Sequence, residues 1–216
     1  MTVQAFVKGM GDRVLAALAL VALLPVVAGI ALWIRLESGR PSIFRQLRAG
    51  KDGQPFSMLK FRTMVPNAIK LGRELALSED PFGVIADDPR ITRSGRFLRR
   101  TSLDELPQLW NVVRGDMSLV GPRPDLLEQV ANYAPADRRR LAVKPGITGW
   151  AQVRGREKIP WEERFRLDAW YVDNWSLLLD ARIILRTIAQ LGRPDPEPVE
   201  DRLNIERARA ARRGGE

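Results

Sequence analysis

The sequence predicts a small α/β domain of short helices and a small β-hairpin, anchored by an N-terminal apolar segment broken by proline. Three observations carry that prediction. Val14 to Ile34 is an uncharged run of 21 residues bounded by Arg13 and Arg35. Two short stretches, Ile43–Leu47 and Phe56–Phe61, flank a turn at Gly50-Lys51-Asp52-Gly53. The rest alternates between helical spacing and Gly/Pro-rich loops. A chain of 216 residues holds one domain with a real core plus an attachment segment. The expected division is an anchor over 1–40, a domain over 41–191 and a charged tail over 192–216.

The apolar run is long enough to cross a bilayer if helical. Twelve of its residues are Val, Leu or Ile. At roughly −0.3 to −0.6 kcal/mol each, they favour insertion by about 4 to 7 kcal/mol. Pro25 opposes that by about 3 kcal/mol in a helix interior. Insertion still wins, with a bend expected at Leu24–Pro25, where an intrahelical hydrogen bond is missing. A cleaved signal peptide fits less well, because the run is longer than the usual apolar core of such peptides. Lys8 and Arg13 precede the run, and Arg35, Arg40, Arg45 and Arg48 follow it. Basic flanks prefer the cytoplasmic side, so both ends of the segment suit that side. Charge and proline alone leave a spanning helix and a re-entrant hairpin both open.

Glu37 to Pro41 reads as a turn before the hairpin. Phe56–Phe61 alternates poorly for a strand. Residues 66–80 have helical spacing through Ile69, Leu71 and Leu75, ending at Asp87-Asp88-Pro89. Arg93 to Arg100 reads as a short helix with Arg93, Arg96, Arg99 and Arg100 near one side. Such a face is either solvated or a phosphate cradle, which Arg suits through bidentate geometry. Leu103, Leu106, Trp110 and Val113 then form an apolar stripe, and Ser102 with Glu105 fits a capping box. Pro107 requires the helix to start close before it. Asp104 and Glu105 thus lie at the positive end of a helix. Gly115, Gly121-Pro122-Arg123-Pro124 and Lys144–Gly149 read as loops. Trp161 to Leu191 reads as helical, with Trp170, Tyr171 and Trp175 suited to a membrane interface or to the core. From Gly192 the chain turns Pro-rich and then charged, as a tail does.

The chain has no Cys and no His. That excludes disulfides, thiolate catalysis, His metal sites and the usual neutral-pH base. Chemistry must rest on carboxylates, Lys, Arg, Tyr and hydroxyls, with a hard metal ion such as Mg²⁺ left open. The net charge of +9 favours anionic partners: nucleic acid, phosphorylated substrates or an anionic membrane face. There is no Walker loop, no G-x-G-x-x-G, no C₂H₂ pattern and no internal repeat.

Five stretches in order resemble one family. They are Lys60-Phe61-Arg62-Thr63-Met64, Thr101 to Leu109 (T-S-L-D-E-L-P-Q-L), Gly115-Asp116-Met117-Ser118, Val120-Gly121-Pro122-Arg123-Pro124 and Lys144 to Val153 (K-P-G-I-T-G-W-A-Q-V). Their order and spacing are similar to the bacterial sugar transferase family, the monotopic phosphoglycosyl transferases, over about residues 5–190. The resemblance implies a small α/β catalytic domain on the cytoplasmic face of the bacterial inner membrane, held by a re-entrant helix in the phospholipid bilayer. It implies transfer of a sugar phosphate from a nucleotide-diphosphate sugar to polyprenyl phosphate, with Mg²⁺. A covalent phosphosugar–aspartate would be the intermediate, Asp104 the nucleophile, and Glu105 its partner in metal binding or activation. Lys60, Arg62, Arg99, Arg123 and Arg156 fall where substrate-binding groups are expected. Uridine is the implied base, and a homodimer is left open. The sequence departs from the family at Leu24, where Ser often precedes the helix-breaking proline and its hydroxyl would satisfy a freed carbonyl.

The residue types suit that chemistry. A carboxylate attacking phosphorus meets like-charge repulsion, which Arg groups and Mg²⁺ would neutralise. A carboxylate nucleophile divides one difficult displacement into two. The acceptor is already anionic and needs little general-base help, which favours a metal or positioning role for Glu105. The competing reading of the acid pair alone is helix capping. Competing readings of the whole chain are a membrane-anchored nucleic-acid-binding protein and an inactive scaffold for polysaccharide assembly. The absence of a recognition motif argues against the first and the intact Asp104-Glu105 pair against the second.

Overall fold

The computed structural model describes residues 3–74, 88–155 and 159–190. Arg156, the end of the expected 66–80 helix and the 192–216 tail lie outside the described residues.

Helices α1 (Val3–Ala22) and α2 (Leu24–Ser38) meet at Leu23 with a bend of 63°. Pro25 sits in the first turn of α2, where its missing N–H disturbs no helical bond. The backbone leaves helical geometry at Leu23 (ψ 1°), one residue ahead of the expected Leu24–Pro25 break. The physical cause is unchanged, because Pro25 cannot bond back to Val21 and its ring displaces that carbonyl. A straight spanning helix is therefore overturned. Among the described residues no single helix is long and apolar enough to cross a membrane, whereas the bent pair together has that length and composition. The bend forms without the serine that often accompanies it.

Both helices turn one face inward. Ala16, Ala19 and Leu20 of α1, with Leu23 at the junction, pack with Met58, Leu109, Val112 and Met117. Ile30 and Ile34 of α2 pack with Phe61 and Leu98. Leu15, Leu18, Val21, Leu24, Leu32 and Leu36 point outward and are exposed. The anchor is thus a wall of the domain core, not a detached stalk. Arg35 donates to Ser42 Oγ (3.1 Å), whose hydroxyl donates to the Ala31 carbonyl (2.9 Å), tying α2 to the strand that follows.

Strands β1 (Ile43–Ala49) and β2 (Pro55–Phe61) form the expected antiparallel hairpin. Phe44 pairs with Lys60, Gln46 with Met58 and Arg48 with Phe56, so these six side chains share one face. Poor alternation in β2 reflects burial from both sides, since Met58 and Phe61 enter different core clusters. Helix α3 (Ala68–Glu74) falls within the stretch 66–80 where a helix is expected. Helix α4 (Arg93–Thr101) follows, capped by the Thr92 hydroxyl, which accepts the Gly95 N–H at 3.0 Å. The Glu37 carboxylate also accepts the Arg93 and Ser94 N–H groups.

A 3-10 turn at Leu103–Glu105 leads into α5 (Gln108–Arg114). The expected capping box does not form. Ser102 is instead the left-handed C-cap of α4 (φ 57°), its N–H donating to the Arg99 carbonyl, and its side chain makes no cap bond. The expected apolar stripe also shifts, because a three-residue turn changes the phase of the helix behind it. Trp110 is 48 % exposed, and the buried face of α5 is Leu109 and Val112 with Asn111. Asn111 grips β2, accepting the Leu59 N–H (3.0 Å) and donating to the Ser57 carbonyl (2.8 Å).

Strands β3 (Ser118–Val120), between Gly115 and Gly121, and β4 (Gly146–Thr148), inside the Lys144–Gly149 segment that reads as a loop, form a parallel pair. Three-residue strands are too short to show alternation. A Cβ on Gly146 would lie 2.1 Å from the Gly121 nitrogen, so the close approach of these two segments requires glycine. Helix α6 (Leu127–Ala131) lies between them, and α7 (Trp150–Gly155), α8 (Trp161–Asn174) and α9 (Leu177–Gln190) follow. The expected continuous helix from Trp161 breaks at Trp175–Ser176. The Ser176 hydroxyl accepts the Leu179 N–H at 3.1 Å and starts α9 afresh. The break brings Tyr171, Trp175 and Lys8 onto Asp180, at 2.7, 3.0 and 2.5 Å. Tyr171 therefore belongs to the core, whereas Trp170 stays 43 % exposed and stacks on Trp150.

Gly95 lies where α4 crosses the Thr63 backbone, and an added Cβ would stand 2.0 Å from that carbonyl oxygen. Gly95→Ala is expected to destabilise the protein by about 1–3 kcal/mol through this overpacking. Thermal unfolding in detergent, followed by circular dichroism, checks the expected fall in Tm.

Candidate active site

The 3-10 turn that carries the two acids is pinned by its flanking leucines. Leu103 packs in the α2 cluster, and Leu106 packs in both the α1 and the α2 clusters. The bent anchor thus sets where Asp104 and Glu105 can stand. Lys60 on β2 and Arg123 in the loop after β3 converge on Glu105. Lys60 Nζ donates to Glu105 Oε1 at 3.0 Å, and Arg123 Nη2 donates to the same oxygen at 2.8 Å. Asp104 Oδ2 lies 3.9 Å from Lys60 Nζ. Among the described residues no hydrogen bond reaches the Asp104 carboxylate, although Asp104 is only 8 % exposed.

The two carboxyls are driven apart electrostatically. Burial would raise the Glu105 carboxyl, but Arg123 and Lys60 together hold it far below the usual carboxylate range. Asp104 goes the other way. Burial raises its carboxyl and the Glu105 charge adds to that, while Lys60, Arg123 and Arg99 oppose both. Glu105 is therefore a fixed anion that holds two cations. Asp104 is the carboxylate left with its oxygens available.

The remaining candidates separate. Arg99 projects from α4, its Nε donating to Thr63 Oγ1 at 2.9 Å, close enough for its charge to act on Asp104. Arg62 does not join the cluster. Its Nη2 donates to the Ser38 and Gly39 carbonyls at 2.8 and 2.7 Å, closing the end of α2 onto β2. The resemblance implied a substrate-binding role for Arg62, which stands two residues from Lys60. In an extended strand that spacing shares a face, but β2 ends at Phe61 and the chain turns there.

Two arginines that no motif singled out support the site. Arg140 is 3 % exposed and donates to Asp168 Oδ2 from Nε (3.0 Å) and Nη2 (2.6 Å). It also bonds Asp125 and Tyr133. Its Nη2 donates to the Arg123 carbonyl at 3.0 Å, which holds the loop that presents Arg123. Arg48 on β1 donates from Nη1 to the Pro124 carbonyl at 3.3 Å. The hairpin register would have put Arg48 on the same face as Lys60, though paired with Phe56 at the other end of the hairpin; nothing in the Arg138-Arg139-Arg140 run distinguishes its last member.

A buried acid pair clamped by lysine and arginine, on a domain walled by a bent apolar helix pair, defines a membrane-associated enzyme that handles phosphate groups. The sequence comparisons agree. Residues 3–193 match the family described as bacterial sugar transferase, and the chain belongs to that family of sugar-phosphate transferases. It is 47% identical over 158 residues to the uncharacterized sugar transferase EpsL of Bacillus subtilis, covering 73% of each chain. It is 40% identical over 185 residues to the exopolysaccharide production protein ExoY of Sinorhizobium fredii, covering 82% of this chain and 81% of that one. Against the UDP-galactose-lipid carrier transferase of Erwinia amylovora it is 43% identical over 198 residues, 88% of this chain but only 41% of that longer one.

Because the folded Asp104 carboxyl is raised, charging it opposes folding above its folded pKa, and protonation at lower pH relieves that cost. Asp104→Asn is therefore expected to melt at a higher temperature than the parent at pH 7 without ligand. The advantage should shrink as the pH falls and vanish below about pH 4, where the unfolded carboxyl is also protonated. Melting curves of both proteins across pH 3.5–7.5 check the sign, the pH limits being approximate.

Proposed function

We propose that the chain transfers a sugar 1-phosphate from a nucleotide-diphosphate sugar, with uridine as the favoured base, to polyprenyl (undecaprenyl) phosphate. The observation that carries the reading is the division of labour in the acid pair. Asp104 has free oxygens on a buried carboxylate, and Glu105 holds the two cations that phosphate oxygens would meet. In the first step an Asp104 oxygen attacks the sugar-bearing phosphorus, the pyrophosphate bond breaks, and nucleoside monophosphate leaves. In the second, an oxygen of polyprenyl phosphate attacks the same phosphorus, the bond to Asp104 breaks, and the carboxylate is regenerated. Lys60, Arg123 and Arg99 offset the charge that builds on the phosphate oxygens. Names of relatives support the substrates. One is a UDP-glucose:undecaprenyl-phosphate glucose-1-phosphate transferase of Escherichia coli, 41% identical over 196 residues. The product would begin a surface glycan or exopolysaccharide.

Mg²⁺ fits the donor set. Among the described residues no three acidic side chains gather into a metal cage, but Mg²⁺ is usually held by one or two carboxylates together with substrate phosphates. Asp104 would supply one carboxylate oxygen, and the Glu105 oxygen not engaged by Lys60 and Arg123 a second. The ion would supply charge neutralisation at the pyrophosphate.

The exposed apolar face of α1 and α2 supports insertion of the bent pair into the cytoplasmic leaflet of the inner membrane, with both ends on the cytoplasmic side. That places the acid pair where a lipid phosphate can reach it while its tail stays in the bilayer.

Two measurements test this reading. Purified Asp104→Asn is expected to release nucleoside monophosphate from nucleotide-diphosphate sugars at least about 10³-fold more slowly than the parent, the scale of a lost nucleophile. Release at the parental rate would remove Asp104 from the chemistry. The chain has no Cys, so single Gln4→Cys and Arg40→Cys variants report topology directly. Both should react with a membrane-impermeant thiol reagent in inverted vesicles and neither in intact spheroplasts. Labelling from opposite sides would show a spanning segment.

A further inference from the structure

We propose that Arg48 is a substrate-binding residue that donates to a phosphate oxygen alongside Arg123. The inference rests on the transferase reading of the site and deepens it.

The geometry comes from the hairpin. Arg48 and Lys60 lie on the same face of β1–β2, the face that carries Met58 into the core below the acid pair. The guanidinium is held flat by Gln46, whose Oε1 accepts from Nη2 (2.7 Å) and Nε (3.2 Å). Nη1 donates to the Pro124 carbonyl at 3.3 Å, the residue after Arg123. All of its partners are neutral. Among the described residues no carboxylate forms an ion pair with Arg48, whereas Lys60 and Arg123 both pair with Glu105. A guanidinium has five N–H groups, and these three bonds leave two unengaged.

The charge count points the same way. Lys60, Arg123 and Arg99 act on Asp104 or Glu105, and Arg48 lies within electrostatic reach of Arg123 and Glu105, four cations against two carboxylates. Burial first, and then the charge of Arg123, lower the Arg48 guanidinium to about 10, with Glu105 only partly offsetting them. A partly buried cation next to another cation is unfavourable until an anion joins them. A phosphate oxygen is such an anion, and a rigid planar fork suits it. Gln46 and Pro124 therefore act as a mount that keeps the free edge of the fork in place.

The phosphate belongs either to the donor pyrophosphate or to the lipid acceptor. Detergent-solubilised full-length protein would be titrated calorimetrically with inorganic pyrophosphate and with n-octyl phosphate, for the parent, R48Q, R48K and the surface control R114Q. Donor turnover would be measured on the same proteins. R48Q should weaken one of the two probes about tenfold, as loss of a charged hydrogen bond does. If it is pyrophosphate, the donor KM rises by about the same factor with kcat within about twofold. If it is octyl phosphate, the rise appears in the acceptor KM. R114Q should match the parent. Should R48Q show no folding transition, R48K keeps the charge without the fork and should raise the same KM about threefold. Unchanged binding and KM in the folded variants, or a fall in kcat alone, overturns the role of Arg48. A parent that neither binds pyrophosphate nor turns over any nucleotide sugar overturns the transferase reading itself. A parent that does both, with Arg48 variants equal to it, overturns only the proposal for Arg48.

Discussion

The bend at Leu23 between α1 and α2 is the constraint on which the rest of this protein depends. One straight apolar helix could lay only one stripe against a small domain. Two helices set at 63° lay two, and each seeds its own core cluster. Leu106 belongs to both clusters and Leu103 to one, so the tight turn that carries Asp104 and Glu105 is caught between the two walls. Membrane attachment and site geometry thus share the same two helices, on opposite faces. Among the described residues the outward faces of the helices are apolar and exposed, the character of a surface suited to lipid.

Around that turn, polar contacts do what apolar packing cannot, which is to fix direction. Asn111 aligns α5 with β2, Arg62 closes the anchor onto β2, and Arg140 holds the backbone that presents Arg123. Asn111 and Arg140 are buried with their hydrogen bonds met by backbone or side-chain partners, as burial demands, whereas Arg62 bonds through Nη2 and leaves its buried Nε without a partner. The result is a cluster with a surplus of cations over carboxylates. In water such a surplus has little consequence; half-buried, it favours an anion.

The two acids show how one turn yields two behaviours. Glu105 receives two cations on one oxygen and stays ionised. Asp104, one residue earlier, is buried with only a 3.9 Å approach from Lys60. Neighbouring residues in a 3-10 turn point about 120° apart, which is enough to send one into the clamp and leave the other open.

Much of this was readable from the chain itself. The apolar run with its proline, the hairpin about Gly50–Gly53 and the arginine-rich helix follow from local spacing, because each depends on contacts close in sequence. The absence of His and Cys limited the chemistry to carboxylates and cations, and the ordered motifs pointed to the family. Other features needed the tertiary structure. The phase of α5, the parallel pairing of β3 with β4 and the break at Ser176 depend on partners far along the chain. So do the removal of Arg62 from the site, the arrival of Arg48 beside Pro124 and the burial of Arg140. Sequence determined which groups could do chemistry here. Only packing decided which carboxylate is clamped and which is free, because that choice is made by where Lys60 and Arg123 arrive in space.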